Sequence, residues 1–228
     1  MYPILLTVAF FVLLLITLLI LFVSRRTSPI PYFPSNSQDI PLIISALNLR
    51  NNQILYELGA GDGIVVFRAA SSAHKRHLNT QFVAIEINPL LILVMHVRRL
   101  FHPNKHNISI QHADIFTTNY QLETRNPKLK TRNLKLVTRN LQGTTKNSKP
   151  KTKNLDLVFF TYISPWYMQK TVANAASQLA DSSAARWVSY FYDVPTGAYG
   201  TKRIGHEKGI HDVYTYELSK KRGRVKRA

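Results

Sequence analysis

The chain of 228 residues contains no cysteine. Disulfides, thiolate metal sites and thiol nucleophiles are therefore excluded. Acidic residues are scarce: 12 Asp and Glu stand against 30 Lys and Arg, for a formal net charge of +18. The eight histidines never combine an i, i+4 spacing with an acidic partner on a helix, so no metal site is expected. Glycine is sparing too, nine in all, yet Gly59, Gly61 and Gly63 fall within five positions.

Charge is missing altogether from residues 3–23, PILLTVAFFVLLLITLLILFV. About 20 apolar residues suffice to cross a hydrocarbon core of about 30 Å. A signal peptide would carry a positive n-region, a shorter apolar run and a small-residue cleavage site, and none of these is present. Residues 1–24 are read as a single-pass transmembrane anchor. Arg25 and Arg26 follow directly and, by the positive-inside rule, leave the remainder on the cytoplasmic (or matrix-equivalent) face. Residues 25–38, rich in proline and serine, read as a linker.

The positive charge is concentrated in two segments. Residues 121–154 hold ten Lys and Arg against Glu123 alone, and the tail 219–228 holds six more and no acid. Within the first, Thr-Arg/Lys-Asn recurs at 124, 131, 138, 145 and 152. A coiled coil would need sustained apolar a and d positions, and Pro127, Gly143 and Pro150 break the pattern. The stretch reads as a basic, low-complexity, solvated insertion. Both segments suit contact with an anionic lipid surface or with nucleic acid. Neither interleaves aromatics for base stacking.

Between these features apolar strands alternate with helical patterns. Helices are expected over 39–49, 63–73, 89–101 and 167–180. Strands are expected over 53–57, 81–87, 107–113, 155–161 and 186–192, followed by a hairpin of 199–204 and 213–218. Such alternation predicts an α/β domain over 39–218: a Rossmann-like, mainly parallel seven-stranded sheet with helices on both faces.

The chemistry gathers at the strand ends. In LYELGAGDG the first strand closes on Glu57 and runs into Gly59, Gly61, Asp62 and Gly63. A dinucleotide fingerprint needs a further glycine three after Gly61, where Ile64 stands, and a phosphate-cradling loop needs Gly-Lys-Ser/Thr. Glu57 at the head of the turn suits an ammonium group. Glu86, at the end of the second strand, is placed for ribose hydroxyls. Asp114, after the third strand, is placed to read an adenine edge. Ammonium, ribose and adenine together describe S-adenosyl-L-methionine.

YELGAGDG, AIEINP and HADIF resemble, in order and spacing, the first three motifs of class I S-adenosylmethionine-dependent methyltransferases. PYFPSN, EINPLLILVMHVRR, ISPWYM and ARWVSYFYDVP further resemble the membrane-anchored protein-lysine methyltransferases. That family includes enzymes acting on the adenine nucleotide translocase and the ATP synthase c subunit, and has bacterial relatives. The likeness implies that Glu57, Gly59, Gly61 and Asp62 hold the methionine end. It implies Glu86 and Asn88 on the ribose side, and Asp114 and Ile115 around the adenine. The chain departs from that family at Ile64, where the family carries arginine, and in the insertion at 121–154.

Tyr162, Pro165 and Trp166, after the fourth strand, are the residues expected to line a slot for the acceptor. The same aromatics would equally serve packing beneath the C-terminal region. The function expected is N-methylation of lysine in a membrane or membrane-associated protein. Methylation of RNA or DNA is the alternative, since Ser164-Pro165-Trp166 partly matches the Asp/Asn-Pro-Pro-aromatic motif of base methyltransferases. A non-catalytic membrane adaptor with a relic cofactor fold is the third reading.

Overall fold

A computed structural model of the chain describes residues 2–23, 30–120, 156–179, 184–195 and 200–219. The basic insertion at 121–154 and all but the first residue of the basic tail lie outside the described residues.

Seven strands form one sheet in the order β3-β2-β1-β4-β5-β7-β6. They are β1 (Gln53–Leu58), β2 (Gln81–Glu86), β3 (Ile108–His112), β4 (Asp156–Thr161), β5 (Ala184–Tyr190), β6 (Thr201–Lys208) and β7 (Asp212–Ser219). The first five run parallel to their neighbours. The final hairpin adds β7 antiparallel to β5 and β6 antiparallel to β7. The strand order reverses between β1 and β4, which places the topological switch point at their carboxyl ends.

The helices follow the apolar spacing. They are α1 (Tyr2–Val23), α2 (Ile40–Leu47), α3 (Ile64–Lys75), α4 (Pro89–Leu100) and α5 (Pro165–Ser177), with a short 3₁₀ turn at Lys105–Asn107. Strand β1 is buried along its whole length, as a central strand covered on both faces must be. Its side chains alternate between the two faces. Leu55 packs with Ile43 and Leu47 of α2, Val66 and Ala70 of α3 and Met95 of α4. Ile54, Tyr56 and Leu58 pack on the other face with Phe159, Trp187 and Met168 and Val172 of α5.

Several boundaries differ from expectation. The helix expected at 167–180 begins two residues earlier, because Pro165 fits its first turn, and ends at Ser177. The strand expected to reach Tyr192 ends at Tyr190, because Phe191 turns the chain into the left-handed region at φ 73°. The sixth strand runs to Lys208, four residues beyond the expected 204.

Helix α1 spans 22 residues, and its described large apolar side chains, from Tyr2 through Ile16 and at Ile20, are exposed. Side chains are described there at 2–17 and 20. Among the residues whose side chains are described, no helix is long and apolar enough to cross a membrane. The anchor expected over 1–24 therefore rests on the sequence pattern.

Candidate functional site

At the carboxyl end of β1 the chain must reverse into α3 within five residues. Gly59, Gly61 and Gly63 all have positive φ. At Gly61 (φ 59°) an added Cβ would lie 2.7 Å from the Tyr32 ring, so the turn is bare where the linker crosses it. Gly63 (φ 77°) is the N-cap position of α3 and packs against Phe67 and Met95.

Two buried carboxylates hold this turn. Glu57 Oε2 accepts the Val66 N–H at 2.7 Å, which satisfies one free donor at the start of α3. Burial pushes the Glu57 carboxyl well above its usual range, and the nearby Asp62 and Glu86 charges add to the shift. Glu86 Oε2 accepts the Gly61 N–H at 2.7 Å, while its Oε1 accepts Ile87 N–H at 2.8 Å and Asn88 N–H at 2.9 Å. A carboxylate has about four acceptor positions. Three protein donors thus leave room on Oε2 for one ligand hydroxyl.

Asp62 is oriented from two sides. Arg98 of α4 meets its carboxylate at 2.8 Å and its carbonyl at 2.7 Å. Ile64 N–H reaches Asp62 Oδ1 at 3.2 Å. The guanidinium beside this turn comes from α4 and not from position 64. Tyr32 lies over the same place. Burial raises its hydroxyl to about 12, and the Asp62 carboxylate contributes by charge and hydrogen bond.

Asp114 shapes the next wall: its Oδ1 accepts Phe116 N–H at 2.8 Å, and its carbonyl accepts from Thr118 Oγ1 at 2.6 Å. Ile115 is buried beside it, its carbonyl held by Tyr120 and Asn174.

These elements line a cleft open to solvent, with about 770 Å³ of empty space when the solvent at its mouth is included. Of the expected cofactor residues it brings together Glu57, Gly59, Gly61, Asp62, Glu86, Asp114 and Ile115. Asn88 is different. It is fully buried, and its side chain accepts from Leu90 N–H and Leu91 N–H as the N-cap of α4. Its oxygen is used by the helix start, so it supports Glu86 from behind and does not line the cleft.

Tyr162 lines the cleft, but Pro165 and Trp166 do not. Trp166 is 87% exposed. Helix α5 buries Met168, Thr171, Val172, Ala175 and Ala176, and helical spacing turns position 166 away from that face. The expected Trp166 wall is therefore corrected to one from the linker: Ile30, Tyr32, Phe33 and Pro34 close the cleft instead.

A second group of residues, missed in the sequence, stands behind Tyr162. Tyr190 packs edge-on to Tyr162 with ring centroids 4.9 Å apart, and Phe191, Tyr192 and His211 complete an aromatic cluster. Tyr190 Oη donates to Asp39 Oδ2 at 2.7 Å, and His211 Nδ1 lies 2.8 Å from Tyr190 Oη and 3.1 Å from Asp39 Oδ2. Ile210 and His211 backbone N–H groups also reach Asp39. Burial alone would raise the Asp39 carboxyl. The hydrogen bonds outweigh it, and the group sits below its ordinary value. Only the acidic residue before IPLII could have signalled this, and it reads as an ordinary helix cap.

The chain superimposes on an RNA methyltransferase from Salinibacter ruber in complex with S-adenosyl-L-homocysteine, with a TM-score of 0.59 and 18% identity. The match covers 84% of this chain and 97% of that one. The fold is the Rossmann-like methyltransferase fold. An Escherichia coli protein named as a methyltransferase is also similar, with a TM-score of 0.52 and 13% identity over 85% of this chain and 92% of that one. No protein-family model matches the chain, and no curated protein matches it.

Proposed function

We propose that the protein is an S-adenosyl-L-methionine-dependent N-methyltransferase, anchored by α1, that modifies lysine in a membrane or membrane-associated protein. The observation that carries this reading is the composition of the cleft: Glu57, Asp62, Glu86 and Asp114 line it, and among the described residues no Lys, Arg or His does. Such a lining favours positively charged or amine ligands and disfavours phosphates.

The residues fit the methyl donor. The bare glycine turn admits close approach, Glu57 and Asp62 suit its ammonium end, the remaining position on Glu86 Oε2 suits a ribose hydroxyl, and Asp114 with Ile115 frames a flat base. When bound, the cofactor supplies an electrophilic methyl on a sulfonium.

The rest of the task falls to the chain's own residues and is mostly positioning. A lysine ammonium, of reference pKa about 10.4, must lose its proton before its nitrogen can act as nucleophile. Phe160, Tyr162 and Ile163 offer it an apolar wall, and removal from water lowers the pKa of an amine. Once its proton has passed to water, the neutral amine nitrogen held at this wall would take the methyl that the cofactor supplies, the sulfur keeping the electron pair of the bond it gives up. Anchoring would raise the effective concentration of a membrane-borne acceptor.

The second reading is methylation of nucleic acid. The Salinibacter ruber neighbour is an RNA methyltransferase, and residues 121–154 and 219–228 carry most of the positive charge. Incubating membranes with labelled S-adenosylmethionine and the full chain, then digesting with protease or nuclease, separates the two. Label released by protease alone is expected; label released by nuclease alone would replace the lysine reading. Calorimetry with no binding at millimolar cofactor would leave the adaptor reading.

A further inference from the structure

Helix α4 buries Leu91 and Met95. On its outer side it exposes Leu93, Val94, Val97 and Leu100, followed by Phe101, and the last two are 66% and 84% exposed. Their spacing makes one continuous stripe along the helix. A surface helix ordinarily turns polar side chains to solvent. Here the outer polar positions of the helix are His96, Arg98 and Arg99, with no acid on the element, and Lys105 follows. An apolar face rimmed by basic residues is the composition of a helix lying in a lipid interface.

The chain length points to the same occupant. Residues 24–29 separate α1 from Ile30, and at full extension they reach about 25 Å. Ile30 to Ser35 lines the cleft. If α1 spans a bilayer, the cleft therefore sits close to its surface. Helix α1 also lies beside α4, and the stripe stays exposed with α1 in place.

We infer that the outer face of α4 is a second membrane contact, seated on an anionic bilayer surface. The inference rests on the anchored reading of α1. Arg99 and Lys105 lie at the headgroup level, and the apolar stripe enters the interface. Leu91 lines the cleft from the same helix. Docking thus holds the cleft beside the lipid–water boundary, where a membrane-borne acceptor presents its side chain. One span tethers the domain, and the second contact sets its orientation.

The absence of cysteine makes the test direct. Single variants Val12→Cys, Leu93→Cys, Leu100→Cys and Gln169→Cys of the full chain are labelled with an environment-sensitive fluorophore. Gln169 is exposed on α5, on the opposite face of the sheet. The proteins are reconstituted into phosphatidylcholine–phosphatidylglycerol vesicles containing a nitroxide-bearing lipid quencher. Labels at 12, 93 and 100 should lose most of their fluorescence while the label at 169 keeps its own. Quenching at 12 with 93 and 100 behaving like 169 would overturn the inference and leave the anchor standing. No quenching at 12 would remove the anchor, and the inference with it. Energy transfer between copies labelled at 93, without lipid quenching, would assign the stripe to a second copy and also overturn it.

Discussion

The two ends of the cleft are built differently. The wall at β1 to β3 is made from backbone: three glycines, two helix starts and carboxylates that grip N–H groups within 25 residues of chain. The wall at β4 and β5 is made from rings and from groups far apart in sequence. Asp39 meets Ile210 and His211 across 171 and 172 positions, and Tyr190 across 151. The first kind of wall is written in a short motif. The second exists only after the sheet has closed.

The sharpest test of the contrast is Glu86→Ala. Three backbone donors lose their partner, and a buried unsatisfied donor costs about 1–3 kcal/mol. Cofactor binding by calorimetry should be lost, with a clear fall in Tm. Normal binding would break the claim that this wall depends on one carboxylate.

Asp39→Ala comes next. It should destabilise the domain by roughly 3 kcal/mol, since a buried charged acceptor disappears from beneath the hairpin. Cofactor affinity should stay close to wild type. The Asp39 carboxyl is lowered in the fold, so its contribution is present above its ordinary value of 3.8 and is lost as pH falls through the folded value. Urea melts of wild type and variant should therefore begin to converge as pH falls below 3.8 and meet below the folded value. A gap that persists there would assign the effect to packing.

Gly61→Ala should weaken cofactor binding and cost about 1–2 kcal/mol from positive φ alone. The contact with the Tyr32 ring adds to it, and Tyr32→Ala in the same chain should relieve that part. Two simply additive substitutions would show that the linker does not press on the turn. The smallest effect belongs to Trp166→Ala. At 87% exposure it should change stability by no more than about 0.5 kcal/mol and leave cofactor binding unchanged. A large loss of methyl transfer would return Trp166 to the acceptor wall.

The cofactor-side residues could be read because each strand end carries its own acid or glycine next to the turn. Asn88 was read with them because Glu-Ile-Asn-Pro is contiguous. The structure uses its oxygen on Leu90 and Leu91, a cap that Asn before Pro also foretells. On the acceptor side Tyr162, next to the end of β4, lines the cleft, whereas Trp166, expected from its closeness to that strand, does not. Adjacency fails there because Pro165 starts a helix and its rotation turns position 166 outward. Phe191 shows the same limit: RWVSYFY looks like seven strand residues, and only the positive φ at 191 shows where the strand stops.

The order of strands and helices, the glycine turn and its acids, and the apolar run at 3–23 follow from the sequence by itself, because periodicity and turn chemistry act over a few neighbouring residues. The tertiary structure alone decided that Tyr32 closes the turn, that Arg98 takes the place at Asp62, and that Asp39 ties α2 to the hairpin loop. It also decided that the apolar stripe of α4 faces outward. These depend on which faces meet across the sheet, and burial and hydrogen bonding settle that only once strands distant in sequence lie side by side.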